Sequence, residues 1–176
     1  MSILKVARIA HPVLRSPAKP VPKEAFRDRL FQKLIDDMRE TMYEYEGVGL
    51  AAPQVHEGLR LAVIEVPGSD ERSRAEVPFF VLVNPVVTPL GDERENGWEG
   101  CLSIPDLRGV VPRLKRLKLD ALDREVRRMG GSLLLARRGA AMLAFAGNAA
   151  SGRWLSCRLS SSLSQWAFSN SRRSLT

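Results

Sequence analysis

The sequence predicts an α+β fold. One strongly amphipathic stretch near the N-terminus precedes a series of short β-branched runs, and Gly- and Pro-rich breaks separate the runs. Residues 1–24 read as an irregular lead, because Pro12, Pro17, Pro20 and Pro22 block a helix. Ala25–Glu44 reads as a helix. Phe26, Leu30, Leu34, Met38 and Met42 recur every four residues, and Phe31 and Ile35 widen the apolar stripe. Gly47–Gln54 breaks that period with two glycines and a proline, as in a loop whose backbone approaches something closely. Leu59–Val66 reads as a strand, Gly68–Glu76 as a polar loop, and Val77–Pro85 as a second strand that Val86–Leu90 extends. Gly91–Gly97 reads as a further loop. Leu117, Leu119 and Ala121 alternate with Lys118 and Asp120, as in a half-buried strand.

The chain's 176 residues make one domain with room for a real core. Charge interrupts the first eight residues too early for a secretory leader, and no run reaches the ~18 apolar residues of a membrane span. The expectation is a cytoplasmic protein that contacts neither membrane nor DNA. The net charge of +7 invites a nucleic-acid reading, but its distribution weakens that reading. Residues 1–125 hold 19 basic and 20 acidic side chains; residues 126–176 hold eight arginines, ten serines and no acid, lysine or proline. The division is therefore a near-neutral core over 1–125 and an Arg/Ser/Ala-rich tail over 126–176, which reads as poorly ordered coil. Such a composition is also what out-of-frame reading of GC-rich codons yields.

The chemistry centres on Cys101, in the run Glu99-Gly100-Cys101-Leu102-Ser103-Ile104-Pro105. A thiolate followed by backbone and hydroxyl donors is suited to a borderline-soft metal such as Zn2+ or Fe2+. A lone cysteine also reads as a small buried apolar residue. One thiolate does not make a catalytic metal site, which takes three protein ligands and an open position. The chain's two histidines, His11 and His56, belong to no His-Glu-x-x-His motif, and a disulfide between Cys101 and Cys157 is disfavoured because nothing marks the chain as secreted.

Paired with Gly47-Val48-Gly49-Leu50-Ala51-Ala52-Pro53-Gln54, the Cys101 run closely resembles the first two signature motifs of the peptide deformylase family. The resemblance runs from about Ile3 to Glu125. It includes Asp36-Asp37-Met38-Arg39-Glu40-Thr41-Met42-Tyr43, Val83-Asn84-Pro85 and Ala121-Leu122-Asp123-Arg124. It implies an N-terminal helix with antiparallel and mixed sheets around a central motif helix, and removal of the formyl group from the N-terminal methionine of nascent polypeptides. It implies Fe2+, or Zn2+ or Ni2+, held by Cys101. Gln54 and the Leu102 backbone N–H would donate to the formyl oxygen, and Gly49 would contact the peptide backbone. Val48 and Gly47 would lie beside the methionine side chain, and Arg108 would face the substrate. Glu99 would orient the cysteine segment through Arg108 or Arg113; a solvent-facing charge is the equal alternative.

The family's third motif, His-Glu-x-x-His on the central helix, supplies two metal ligands from one helix face and a general base. In this sequence the corresponding region, Arg138–Asn148, holds no histidine and no acid. The resemblance with that loss implies a non-family tail in place of the motif helix, unstable metal binding and a catalytically defective chain. Two alternatives stand beside it. One is an enzyme with an unorthodox metal site on Cys101. The other is a non-catalytic binder of formylated N-termini, or of the ribosome through the tail arginines.

Overall fold

A computed structural model of the chain describes residues 2–66 and 77–134. The expected loop at Gly68–Glu76, Cys157 and the expectations for residues 135–176 lie outside these residues. Helix α1 spans Arg29–Glu44. It starts four residues later than its apolar spacing suggests. Asp28 is extended (φ −77°, ψ 127°), and its carboxylate accepts from the Leu30 N–H at 2.8 Å, which caps the helix. Phe26 belongs to a preceding 3₁₀ turn over Lys23–Arg27 and packs edge-on against Phe31. The buried stripe is thus Phe31, Ile35, Met38 and Met42, while Leu30 is 74% exposed. Removing the cap with Asp28→Ala is expected to lower stability by about 1 kcal/mol, read as a shift of the urea midpoint at unchanged slope.

Among the described residues seven strands follow: β1 (Gly49–Ala51), β2 (Leu61–Val66), β3 (Val77–Pro89), β4 (Arg94–Cys101), β5 (Ile104–Leu114), β6 (Arg116–Leu122) and β7 (Arg128–Leu134). Strands β1-β2-β3-β6-β7 form one antiparallel sheet in that order, and β4 and β5 form a separate two-stranded antiparallel sheet. β2 is buried on both faces. Leu61 and Val63 join Leu50, Val81 and Val83 under α1, while Ala62 and Ile64 join Leu82, Leu117, Leu119 and Ala121 on the opposite face. The long β3 merges the two runs expected over residues 77–90. The boundary expected after Glu125 falls in the turn between β6 and β7, and the sheet runs on past it to Leu134. At Gly130 a side chain would meet the Leu119 carbonyl and the Asp120 carboxylate, each at 3.1 Å, so the absence of a Cβ lets β7 lie close to β6.

Two expected loops are different in the structure. Gly47–Gln54 contains β1 and a 3₁₀ turn over Ala52–Val55, because Gly49–Ala51 pairs in register with Ala62–Ile64. Gly91–Gly97 runs into β4, whose partner β5 has no regular alternation to reveal it. Pro105, Gly109 and Pro112 punctuate β5, and a two-stranded sheet tolerates them because an outer edge needs no ladder donor.

Charged side chains tie α1 to the first sheet. Arg39 donates twice to Glu65, at 3.0 and 3.2 Å, and lies 4.3 Å over the Phe79 ring. Arg124 bonds Gln32 and Asp36 at 3.0 and 2.9 Å. Among the described residues no helix is long and apolar enough to cross a membrane.

Three carboxylates give the fold a direction in pH. Burial raises the pKa values of Asp37, Glu65 and Asp123. Bonds from Lys33 and the Ser2 N–H, from Arg39 and Tyr43, and from Arg127 outweigh burial and leave each below its usual value. Each therefore contributes stability that is complete above the unfolded carboxyl pKa of about 4 and is lost as pH falls through the depressed folded value. The urea midpoint is expected to hold from neutral pH to about 5 and to fall below about 4. Equal midpoints at pH 6 and pH 3 would contradict this.

Candidate active site

The Cys101 segment is a tight reversal. Leu102 and Ser103 connect β4 to β5, and Cys101 pairs with Ile104. The register then jumps. Gly100 pairs with Arg108, so Pro105, Asp106 and Leu107 bulge from β5 with no counterpart on β4. Asp106 lies in the left-handed region, at φ 64°. Bulges of this kind re-aim the side chain beside them, and here that side chain is Cys101.

Gln54, in the 3₁₀ turn after β1, reaches this reversal from the other sheet. Its side chain is fully buried. Its Oε1 accepts from the Ala51 N–H at 3.0 Å, which fixes the amide orientation. Its Nε2 donates to Ser103 Oγ at 3.2 Å and lies 3.7 Å from Cys101 Sγ. The glycine loop closes on the same place. A Cβ at Gly47 would stand 2.8 Å from Leu102 Cδ1 and 3.3 Å from the Met42 carbonyl, so a larger residue there would displace the Leu102 side chain from the loop. Gly49 is buried in β1, and Gly47 and Val48 are half-buried.

Glu99 is 8% exposed, and Arg113 grips it through two bonds of 2.9 and 2.8 Å. Of the two arginines expected to pair with it, Arg113 does so. Arg108 stands opposite Gly100 with an exposed side chain. Ser103, read from the sequence only as a hydroxyl beside the thiolate, proves to be a partner of Gln54. Its hydroxyl and carbonyl both serve the junction, and only its place in the Cys101 run hinted at that.

Among the described residues, the donors bonded beside Cys101 do not make up a catalytic metal site. They offer one thiol, one amide and one hydroxyl, whereas such sites take three ligands of the thiolate, imidazole or carboxylate kind. The two histidines are exposed and packed on each other, with ring centroids 4.6 Å apart. His11 Nδ1 accepts from the Val13 N–H at 3.3 Å. Among the described residues no three of His, Cys, Asp or Glu group as they would to hold an ion.

The family model of polypeptide deformylase matches residues 3–132. The chain belongs to the polypeptide deformylase family. Peptide deformylase 2 of Pseudomonas putida is 50% identical over 107 residues, which is 60% of each chain. The match thus spans less than two thirds of that relative's length. Peptide deformylase of Chromohalobacter salexigens is 48% identical over 121 residues, 69% of this chain and 67% of the relative. The Met-Ala-Ser-bound structure of a class I type b peptide deformylase from Acinetobacter baumannii superposes with a TM-score of 0.71 at 32% identity. It covers 78% of this chain and 88% of that one. The α+β deformylase fold expected from the sequence is therefore present.

Proposed function

We propose that this deformylase-family chain keeps the half of the site that receives a formylated N-terminus and lacks the half that activates water. The observation that carries this reading is the junction itself: Gln54 and the Cys101–Ser103 reversal meet, while both histidines are exposed and pack ring against ring. The Gln54 amide and the Leu102 N–H would hold the formyl oxygen. The Gly49 backbone would align the peptide, Gly47 and Val48 would flank the methionine side chain, and Arg108 would face the chain beyond it. The ligand is a formyl-methionyl nascent peptide in the cytoplasm; the peptide in the Acinetobacter relative's structure supports a ligand of this kind.

The family is metal-dependent, and Fe2+, Zn2+ or Ni2+ would find Cys101 here without the two histidines. Residues 126–176 supply neither histidine nor acid, so the general base is missing as well. Uncoordinated water keeps a pKa of ~15.7, against ~7 on a catalytic metal. Incubation with formyl-Met-Ala-Ser and Fe2+, Ni2+ or Zn2+ is expected to release formate no faster than a protein-free blank, while calorimetry detects peptide binding. Ordinary turnover, or stoichiometric metal that disappears in Cys101→Ala, would overturn the reading. The charge asymmetry favours a second role, ribosome contact through the arginines of residues 126–176. That contact should weaken steeply with salt and vanish when those residues are deleted.

A further inference from the structure

The two halves of this junction belong to different sheets. Gln54 follows β1 of the five-stranded sheet, and Cys101 ends β4 of the two-stranded one. Among the described residues the strands of the two sheets share no ladder, so other contacts must hold the sheets in register. The leading segment runs between them. The Ala7 N–H donates to the Gln54 carbonyl at 2.7 Å, and two residues on, the Ile9 N–H donates to the Ser103 carbonyl at 2.9 Å. Ile9 lies in a turn, with Ala10 at φ 78° and the His11 N–H on the Arg8 carbonyl at 3.1 Å, so one short stretch of backbone bonds both partners. The segment is itself anchored. The Ser2 and Leu4 N–H groups donate to Asp37 and Thr41 of α1, each at 2.8 Å, and Val6 and Ala7 are buried. Its far end is closed by the contact between His11 and His56, which follows Gln54 by two residues.

We propose that Val6–His11 is a positioning clasp that sets the spacing of Gln54 against the Cys101–Ser103 reversal. This assigns the two histidines to the clasp's end, and it makes Ile9, whose side chain is 47% exposed, a positioning residue acting through its N–H. The importance of the clasp for ligand binding rests on the reading above; its control of the junction does not.

The test therefore has two readouts, made on the full chain in a Cys157→Ser background: the rate of Cys101 alkylation by iodoacetamide and the affinity for formyl-Met-Ala-Ser. Ile9→Pro removes the donor, and Ile9→Val keeps it. Asp28→Ala, which weakens the chain at the start of α1, controls for lost stability alone. Ile9→Pro is expected to change the alkylation rate by about fivefold or more and to weaken peptide binding by about tenfold, the order of one lost hydrogen bond. Ile9→Val and Asp28→Ala should stay within about twofold on both.

If Ile9→Pro alkylates as the unaltered chain does, or if Asp28→Ala changes the rate equally, the clasp is refuted. If the unaltered chain binds no peptide, the functional reading fails, and the alkylation rates still decide the clasp. Should Ile9→Pro not fold, native-state hydrogen exchange decides. The Ala7 and Ile9 amides must be protected as strongly as the Ala51 amide, and exchange at the rate of an open loop refutes the proposal.

Discussion

Glu99→Ala is expected to destabilise the chain by about 3 kcal/mol, at the lower end of the range for breaking a buried ion pair. Glu99 is almost wholly buried, and both its oxygens are occupied by Arg113, whose side chain is 28% exposed. Removing the carboxylate leaves a partly buried guanidinium without its two acceptors. The penalty comes from that stranded charge more than from the lost attraction, so the double variant Glu99→Ala/Arg113→Ala should recover part of the loss. Arg108→Ala, at an exposed position on the same hairpin, should stay within about 0.5 kcal/mol. Urea unfolding of the four chains checks the series. A single-variant loss below about 1 kcal/mol would place the pair among weak surface bridges instead.

Gln54→Ala should have the second-largest effect, and on two quantities at once. The amide is fully buried and engaged on both its oxygen and its nitrogen, so truncation strands the Ala51 N–H and opens a void. A cost of about 2–4 kcal/mol follows from those two terms. Formyl-Met-Ala-Ser affinity should fall by about tenfold or more if, as proposed, the Gln54 amide holds the formyl oxygen. Calorimetry beside a urea melt separates the two. Unchanged affinity in a folded Gln54→Ala chain would remove Gln54 from the recognition role.

Helix α1 was legible because its apolar positions follow one period. Its start was not, since Phe26 and Leu30 fit that period by spacing alone; the Asp28 cap decides the boundary and sends Leu30 into solvent. β6 was legible because one face is buried and the other charged. β4 and β5 were hidden because their pairing is set across the Cys101 reversal, by register that glycines and prolines disguise. The same register explains why Arg113 and not Arg108 meets Glu99: no sequence distance reveals which side of a bulged strand a side chain takes. Gln54 and Cys101 were identified as partners by family resemblance, and 47 residues of chain separate them. Their meeting depends on how two sheets are joined, which is not a local property of either motif.

The bulge at Pro105–Leu107 has an evolutionary consequence. Paired residues pin the strands on both of its sides, Cys101–Ile104 toward the reversal and Gly100–Arg108 toward the Glu99–Arg113 bridge. Residues gained or lost between Ile104 and Arg108 would alter the size of the protrusion without moving either pinned end. The hairpin can therefore diversify the rim beside Cys101 through changes in length as well as in side chains, with the thiol itself held still.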